Sequence, residues 1–414
     1  MRDISALKQK ILNLADHCVK CGLCSTQCPT YILKQDENES PRGRISLAQA
    51  IASDAMAANN KISTHLNNCL QCRRCEAACP SQVQYGELIN ATSELLNLES
   101  QQTSRLQTIV ISKVSNFSHI NWLKIAKVYH FLSNMGLMHL LRLNERGRRA
   151  LNYIPSNSHP KIRARKTPMT NQTKNDVLLF AGCLSHVLDE RTLHISAELL
   201  KICGYTVTIP SSQTCCGAIS ARQGLSDIEQ QCHLNNQMAF SDTKYSPIVF
   251  FTTGCGAKLK EYQEQLPSAV KFSDRVSDIT TFLENSELFA KLKFTPLKKK
   301  VLVFNPCSER NMLKQDGVVE KLLTHISGIQ LLKLSKSTGC CGASGSHLIT
   351  HQHQANQIRL PIMEQIISMS PDIIVSPNYP CNLHIQTGLK EKGLDIPMIH
   401  PIELLYKQMI LEQT

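Results

Sequence analysis

Eight cysteines in two matching runs carry the plainest chemistry in this chain. The first run is Cys18-x2-Cys21-x2-Cys24-x3-Cys28-Pro29, and the second is Cys69-x2-Cys72-x2-Cys75-x3-Cys79-Pro80. Thiolate sulfur is the soft anionic donor that iron–sulfur units need. An x2 spacing lets a looping backbone wrap three corners of a cubane. The proline after the fourth cysteine fixes φ and turns the chain away. This is the spacing with which thiolates hold [4Fe–4S] clusters, so the expected chemistry is one-electron transfer. Four-cysteine zinc sites usually pair two Cys-x2-Cys knuckles across a longer stretch, which is a different pattern. A disulfide framework is also disfavoured, because the cysteines sit at ligand spacing and disulfide scaffolds are mostly short secreted chains.

The runs resemble those of bacterial-type two-cluster ferredoxins, in which the fourth cysteine of each run ligates the other cluster. On that pattern Cys18, Cys21, Cys24 and Cys79 hold one cluster, and Cys69, Cys72, Cys75 and Cys28 hold the second. Elements must position them. Ile4, Leu7, Ile11 and Leu14 recur at helical spacing before Cys18. Between the runs, Pro41-Arg42-Gly43-Arg44 opens another apolar-periodic stretch, and proline suits a helix start. The acidic run from Asp36 to Glu39 is expected to be a solvated loop. Arg42 and Arg44 read equally well as electrostatic tuners of the clusters or as solvated, helix-capping groups. The spacer of about forty residues predicts a helical ferredoxin-like domain over residues 1–100, not a compact β-type one.

Residues 171–414 contain an internal repeat. Cys183, Cys215-Cys216-Gly217 and Cys255 in the first copy match Cys307, Cys340-Cys341-Gly342 and Cys381 in the second. The gaps are 31 and 38 residues in one copy, and 32 and 39 in the other. Apolar runs at 177–180, 206–209 and 248–251 recur at 301–304, 329–334 and 373–375, with helical patterns between them. Alternating strands and helices predict two α/β halves with parallel sheets, 171–295 and 296–414. The cysteines then fall just past the carboxyl ends of strands, where open α/β sheets gather ligands. Gly217 and Gly342 permit the tight turn that points two adjacent cysteines at one iron–sulfur unit. Further clusters in the repeats, redox-active thiols, and zinc or structural roles all remain open for these eight cysteines. Cys203 and Cys232 read as buried, inert thiols.

The 414-residue chain carries a net charge of +12. Nucleic acid is not an expected partner, since aromatics are 5% of residues and no basic–aromatic motif is present. Residues 101–170 read as a connector: amphipathic helix around Trp122, Leu123, Ile125, Ala126, Val128 and Phe131, then a basic tether. The tether carries Arg142, Arg146, Arg148, Arg149, Lys161, Arg163, Arg165 and Lys166, broken by Pro155 and Pro160. No export signal and no membrane span is expected from apolar runs of this length. His186, His194, His347, His351 and His353 show no ligand or catalytic spacing, and His351 and His353 read as surface groups. No catalytic residue, dinucleotide loop or flavin site is legible, so substrate oxidation is expected to belong to another chain.

The doubled cysteine run, the Pro41-Arg-Gly-Arg44 element and the two Cys-Cys-Gly repeats resemble the iron–sulfur subunit of bacterial glycolate oxidase. More broadly, the chain is similar to cysteine-rich subunits of anaerobic glycerol-3-phosphate dehydrogenase, L-lactate oxidation systems and heterodisulfide reductase. The resemblance implies an FAD-containing oxidase subunit, a second flavin-domain subunit, glycolate oxidised to glyoxylate, and electrons passed toward membrane quinone. It also implies a cytoplasmic place, peripheral on the inner face of the membrane. One departure stands out. The heterodisulfide reductase pattern ends each repeat in Cys-x2-Cys, and here Thr252 and Asn378 occupy the first of those positions. That favours electron relay over a rival reading as a disulfide or heterodisulfide reductase.

Overall fold

The computed structural model describes residues 3–100, 105–118, 121, 124–125, 128, 176–183, 185–241, 245–263, 270–335, 339–345 and 347–410. The connector readings at Trp122, Leu123, Ala126 and Phe131, and the whole basic tether, lie outside these residues.

The amino-terminal region is helical. Its helices are α1 (Ile4–Asp16), α2 (Pro29–Lys34), α3 (Pro41–Ala52), α4 (Asn60–Asn67), α5 (Arg74–Ala77) and α6 (Tyr85–Ser100). Asp3 caps α1 by accepting from the Ser5 and Ala6 N–H groups at 2.9 and 3.2 Å. The apolar stripe of α1 then buries Ile11 and Ala15 against Ile45, Ala48 and Ile51 of α3 and Leu88 and Leu95 of α6. Helix α3 starts at Pro41, and Ser40 caps it by accepting from Gly43 N–H at 2.9 Å. A further helix, α7 (Arg105–Asn116), leads from this region toward the repeats.

The acidic run departs from expectation. Glu37–Glu39 forms a 3₁₀ turn, and Glu39 is fully buried instead of solvated. Its burial follows from the charged partners that surround it, described below.

The repeat region holds two four-stranded sheets of parallel strands, in the orders β2-β1-β3-β4 and β7-β6-β8-β9. The first contains β1 (Asp176–Phe180), β2 (Thr206–Thr208), β3 (Ile248–Phe250) and β4 (Val276–Asp278). The second contains β6 (Lys300–Val303), β7 (Gln330–Lys333), β8 (Ile373–Val375) and β9 (Met398–Ile399). A short antiparallel pair, β5 (Lys293–Phe294) with β10 (Met409–Ile410), ties the end of the first half to the end of the second. Both faces of each sheet are covered, so successive residues feed different cores. Val177 and Leu179 of β1 share one core with Val301 and Val303 of β6, while Leu178 and Leu302 face separate outer cores. Edge strand β4 reads Val-Ser-Asp and β9 is only two residues long, so neither shows an apolar run.

Gly43 carries a steric demand of its own. A Cβ there would lie 1.9 Å from the Glu37 carbonyl oxygen. Gly43→Ala therefore has to push apart the turn that carries Glu39, and overpacking of this kind costs about 1–3 kcal/mol. The expected result is a lower thermal midpoint for the anaerobic chain; an unchanged midpoint would show that the turn yields freely.

Candidate iron–sulfur centres

The two cysteine runs fold alike. In each, the residue two past the first cysteine is left-handed (Lys20 φ 54°, Gln71 φ 50°), as is the residue after the second cysteine (Gly22 φ 84°, Arg73 φ 54°). Such conformations are costly for residues other than glycine and tend to sit at functional sites. Alternating right- and left-handed residues turn successive N–H groups inward, forming a concavity suited to an anion. Gln71 N–H accordingly reaches Cys69 Sγ at 3.4 Å.

The sulfurs surround two adjacent hollows. Cys18, Cys21, Cys24 and Cys79 line one of about 440 Å³, together with Cys75. Cys28, Cys69, Cys72 and Cys75 line the other, of about 300 Å³. Cys21 is exposed at the first, whereas all four cysteines of the second are buried. Burial drives the Cys72 and Cys75 thiols well above their ordinary pKa. All eight cysteines are free of disulfides. A desolvated set of thiols around a hollow fits a cubane, which deprotonates its ligands on binding. Among the described residues no three His, Cys, Asp or Glu side chains converge on a point suited to one metal ion. A four-iron unit spreads its ligands around a larger volume than a single tetrahedral zinc does.

Charge is concentrated beside the second hollow. Arg44 is 1% exposed and donates to Thr30 Oγ1 at 3.0 Å, Glu39 Oε2 at 2.6 Å and Cys28 Sγ at 3.8 Å. Glu39 also accepts from Lys34 Nζ at 3.0 Å and Asn68 Nδ2 at 2.8 Å. Burial opposes its ionisation, but the Lys34 and Asn68 hydrogen bonds and the Arg44 charge hold its carboxyl below the usual range. Tyr85 donates its hydroxyl to Cys69 Sγ at 3.7 Å. Arg42 behaves differently: it is half-exposed, pairs with Glu37 and lines the first hollow, donating from Nη1 to the Lys20 carbonyl at 3.5 Å.

Each repeat orders its four cysteines as a chain of neighbouring sulfurs. The contacts run Cys183–Cys215–Cys216–Cys255 in the first and Cys307–Cys340–Cys341–Cys381 in the second. Cys341 and Cys381 bring their sulfurs to 2.8 Å. Gly217 (φ 84°) and Gly342 (φ 83°) aim their N–H groups at Cys215 and Cys340 Sγ, at 3.5 and 3.4 Å. Hydrogen bonds from neighbouring sulfurs push the Cys215 and Cys340 thiols below the ordinary range. Cysteines from three different strand ends thereby meet at the carboxyl edge of each sheet. At the position where a fifth cysteine would stand, Asn378 donates to Cys381 Sγ at 3.1 Å and accepts from Gly254 N–H at 3.2 Å. Thr252 begins the equivalent helix in the first repeat.

Several supporting residues carry no sequence signal. Asn236 accepts from Thr214 N–H at 2.8 Å and donates to the Cys215 carbonyl at 2.9 Å. Tyr262 donates to the Cys216 carbonyl at 3.0 Å. Cys203 and Cys232 are fully buried, and burial pushes the Cys203 thiol up to about 12. His347 is also fully buried, His351 is half-buried and His353 exposed.

The modules touch through the second run. Leu70 and Cys72 share an apolar cluster with Cys340, Ile358 and Cys307. Asn311 donates to the Cys72 carbonyl at 2.7 Å and Ser344 to the Leu70 carbonyl at 2.6 Å. The first repeat's set lies instead against α7, where the Ser115 carbonyl accepts from Cys215 N–H at 3.1 Å.

Comparison with known proteins agrees with this layout. A 4Fe–4S dicluster domain matches residues 14–83, and a cysteine-rich domain matches twice, at 177–260 and 301–386. The chain belongs to the proteins that join such a dicluster domain to paired cysteine-rich domains. Within that class it is similar along most of its length to glycolate oxidase iron–sulfur subunits. It is 29% identical to the one from Escherichia coli over 381 residues, covering 90% of this chain and 89% of the relative. It is 27% identical to the probable glycolate oxidase iron–sulfur subunit of Bacillus subtilis over 413 residues, covering 94% and 93%. A solved structure of a hypothetical protein from Helicobacter pylori shares the fold, with a TM-score of 0.52 at 11% identity, covering 100% of this chain and 78% of that one.

Arg44→Met leaves the Glu39 carboxylate buried without its guanidinium, and stripping one partner from a buried pair costs about 3–5 kcal/mol. The thermal midpoint of the anaerobic chain should fall markedly, and Arg44→Met with Glu39→Gln together should recover part of the loss. Equal midpoints for wild type and Arg44→Met would contradict this account.

Proposed function

We propose that this chain is the iron–sulfur electron-transfer subunit of a flavin-linked 2-hydroxyacid oxidase, with glycolate as substrate. The observation that carries this is the pair of neighbouring thiol-lined hollows, bordered in common by Cys75, in a chain similar over most of its length to glycolate oxidase iron–sulfur subunits.

On this reading Cys18, Cys21, Cys24 and Cys79 hold one [4Fe–4S] cluster, and Cys28, Cys69, Cys72 and Cys75 hold another. Cys183, Cys215, Cys216 and Cys255, and Cys307, Cys340, Cys341 and Cys381, would hold further iron–sulfur units. Bound there, the clusters supply one-electron transfer at potentials set by hydrogen bonding, charge and solvent access. The chain's own residues set those terms. Arg44 and Tyr85 hydrogen-bond the sulfurs at the second hollow, and Ile45 and Val83 exclude water at the first. Exposed Val19 and Leu23 flank the open first hollow and give a flavoprotein an apolar place to bring its cofactor near.

The oxidising step belongs to an FAD-containing partner, accompanied by a second flavin-domain protein, with quinone as the eventual acceptor. The place is cytoplasmic, peripheral on the inner face of the membrane; among the described residues no helix is long and apolar enough to cross a bilayer. This reading keeps the division into 1–100, 101–170, 171–295 and 296–414.

Anaerobic purification with iron counted per chain tests the assignment. About eight irons fill the two ferredoxin-like sites, at four per cubane, and a larger count puts metal in the repeats. Cys28→Ser should damage the EPR signal of the cluster held mainly by the second run; a defect confined to the first run's cluster overturns the crossed assignment. The isolated chain should not oxidise glycolate with an artificial acceptor. Robust turnover without a partner would sink the reading as a relay.

A further inference from the structure

Arg222 stands six residues past Cys216 in the first repeat, and the same offset past Cys341 in the second gives His347. The two side chains meet, with Arg222 Nη2 at 3.4 Å from His347 Nδ1. Equivalent residues that touch mark a two-fold-like seam between the repeats. The second cysteine run lies across that seam. Arg222 donates from Nη2 to the Cys69 carbonyl at 2.8 Å and to the Asn67 carbonyl at 3.3 Å, and from Nη1 to Ser344 Oγ at 2.7 Å. Ser344 in turn donates to the Leu70 carbonyl and stands three residues past Cys341. One side chain of the first repeat therefore grips both the second cluster loop and the Cys-Cys-Gly turn of the second repeat.

Its charge is the informative part. Arg44, which lines the second hollow, has a carboxylate partner in Glu39. Among the described residues no carboxylate forms an ion pair with Arg222. Burial disfavours its charge, the Cys69 and Cys340 sulfurs favour it, and Arg44 opposes it. All its hydrogen-bond acceptors are uncharged: two carbonyls, a hydroxyl and an imidazole. Arg222 is half-buried, and a cation partly withdrawn from water without a counter-charge is favoured where anions stand close by.

We propose that Arg222 is a positioning residue that raises the reduction potential of the second ferredoxin-like site and couples it electrostatically to the cysteine set of the second repeat. This rests on the reading in which Cys28, Cys69, Cys72 and Cys75 hold a cluster. A site that accepts one electron gains one negative charge, and a guanidinium held beside it favours the reduced form. The electron comes from the partner flavin of that reading and passes on to its acceptor. Arg222 contributes neither proton nor electron.

The test is an EPR-monitored redox titration of the full anaerobic chain as wild type, Arg222→Gln and Arg222→Lys, with iron counted first. Gln retains hydrogen-bonding capacity without charge, and Lys retains charge without the fork. Arg222→Gln should shift to lower potential the signal that Cys28→Ser damages and leave the other signal in place. Arg222→Lys should bring the potential back toward wild type. A Gln variant with full iron and wild-type potentials overturns the proposal, as does an equal shift of both signals. If Gln cannot be loaded with iron but Lys can, the Lys titration decides: a second-site potential close to wild type supports the proposal, and one well below it overturns it. If neither can be loaded, the residue is structural and the proposal fails. A wild-type chain without a second cluster overturns the underlying reading instead, and the iron count shows this separately.

Discussion

Each cysteine run lends its last sulfur to the hollow of the other, so neither site can be complete unless both loops are in place. Cys79 borders the first hollow and Cys28 the second, with Cys75 between them. The backbone passes from one hollow to the other twice, between Cys24 and Cys28 and again between Cys72 and Cys79. Helices α1, α3 and α6 supply the frame for that crossing, through the core around Ile11, Ile45 and Leu88. Clustered thiols are poor packing units alone, being large, desolvated and reluctant to ionise. The fold is therefore best understood as a cage whose walls are ordered locally and whose centre is completed by a ligand.

Charge placement follows from that cage. Near the second hollow the domain buries a guanidinium and a carboxylate together, and the carboxylate gathers Lys34 and Asn68 as well. This is why the acidic stretch between the runs is no solvated loop: one of its members is the counter-ion of a buried cation. Arg222 is the contrasting case, since it reaches the backbone of the second cysteine loop from another module and, among the described residues, pairs with no carboxylate. The two arginines thus differ in one respect: Arg44 has a carboxylate partner, shared with Lys34, and among the described residues Arg222 has none.

Much of this was legible in the residues. Both runs, the repeat, six of its strands and the start of α3 at Pro41 could be read from spacing and apolar periodicity. The strands beyond reach lack an apolar run: β4 is Val-Ser-Asp, and β5, β9 and β10 are two residues each. Glu39 was misread because a carboxylate in an acidic run gives no sign of a partner distant in space. Asn236 and Tyr262 were invisible for the same reason. They hold backbone carbonyls of the Cys-Cys turn, and nothing local distinguishes them from other polar residues in a helix or turn.

The repeat itself carries a subtler lesson. The two cysteine sets share spacing, glycine conformation and the order of sulfur contacts, so sequence alone predicts equal roles. Their surroundings are unequal. Cys340 and Cys307 pack directly on Leu70 and Cys72 of the cluster loop, while Cys215 sits beneath Ser115 of α7. Asn378 touches a sulfur, and its counterpart Thr252 only starts a helix. A two-fold arrangement of repeats cannot present both halves equally to a single asymmetric domain docked on the seam. Once the helical domain leans its second loop on one half, the halves are free to diverge at the positions that face it. Arg222 and His347, which stand at the same offset past the Cys-Cys pair of each repeat, are one such pair.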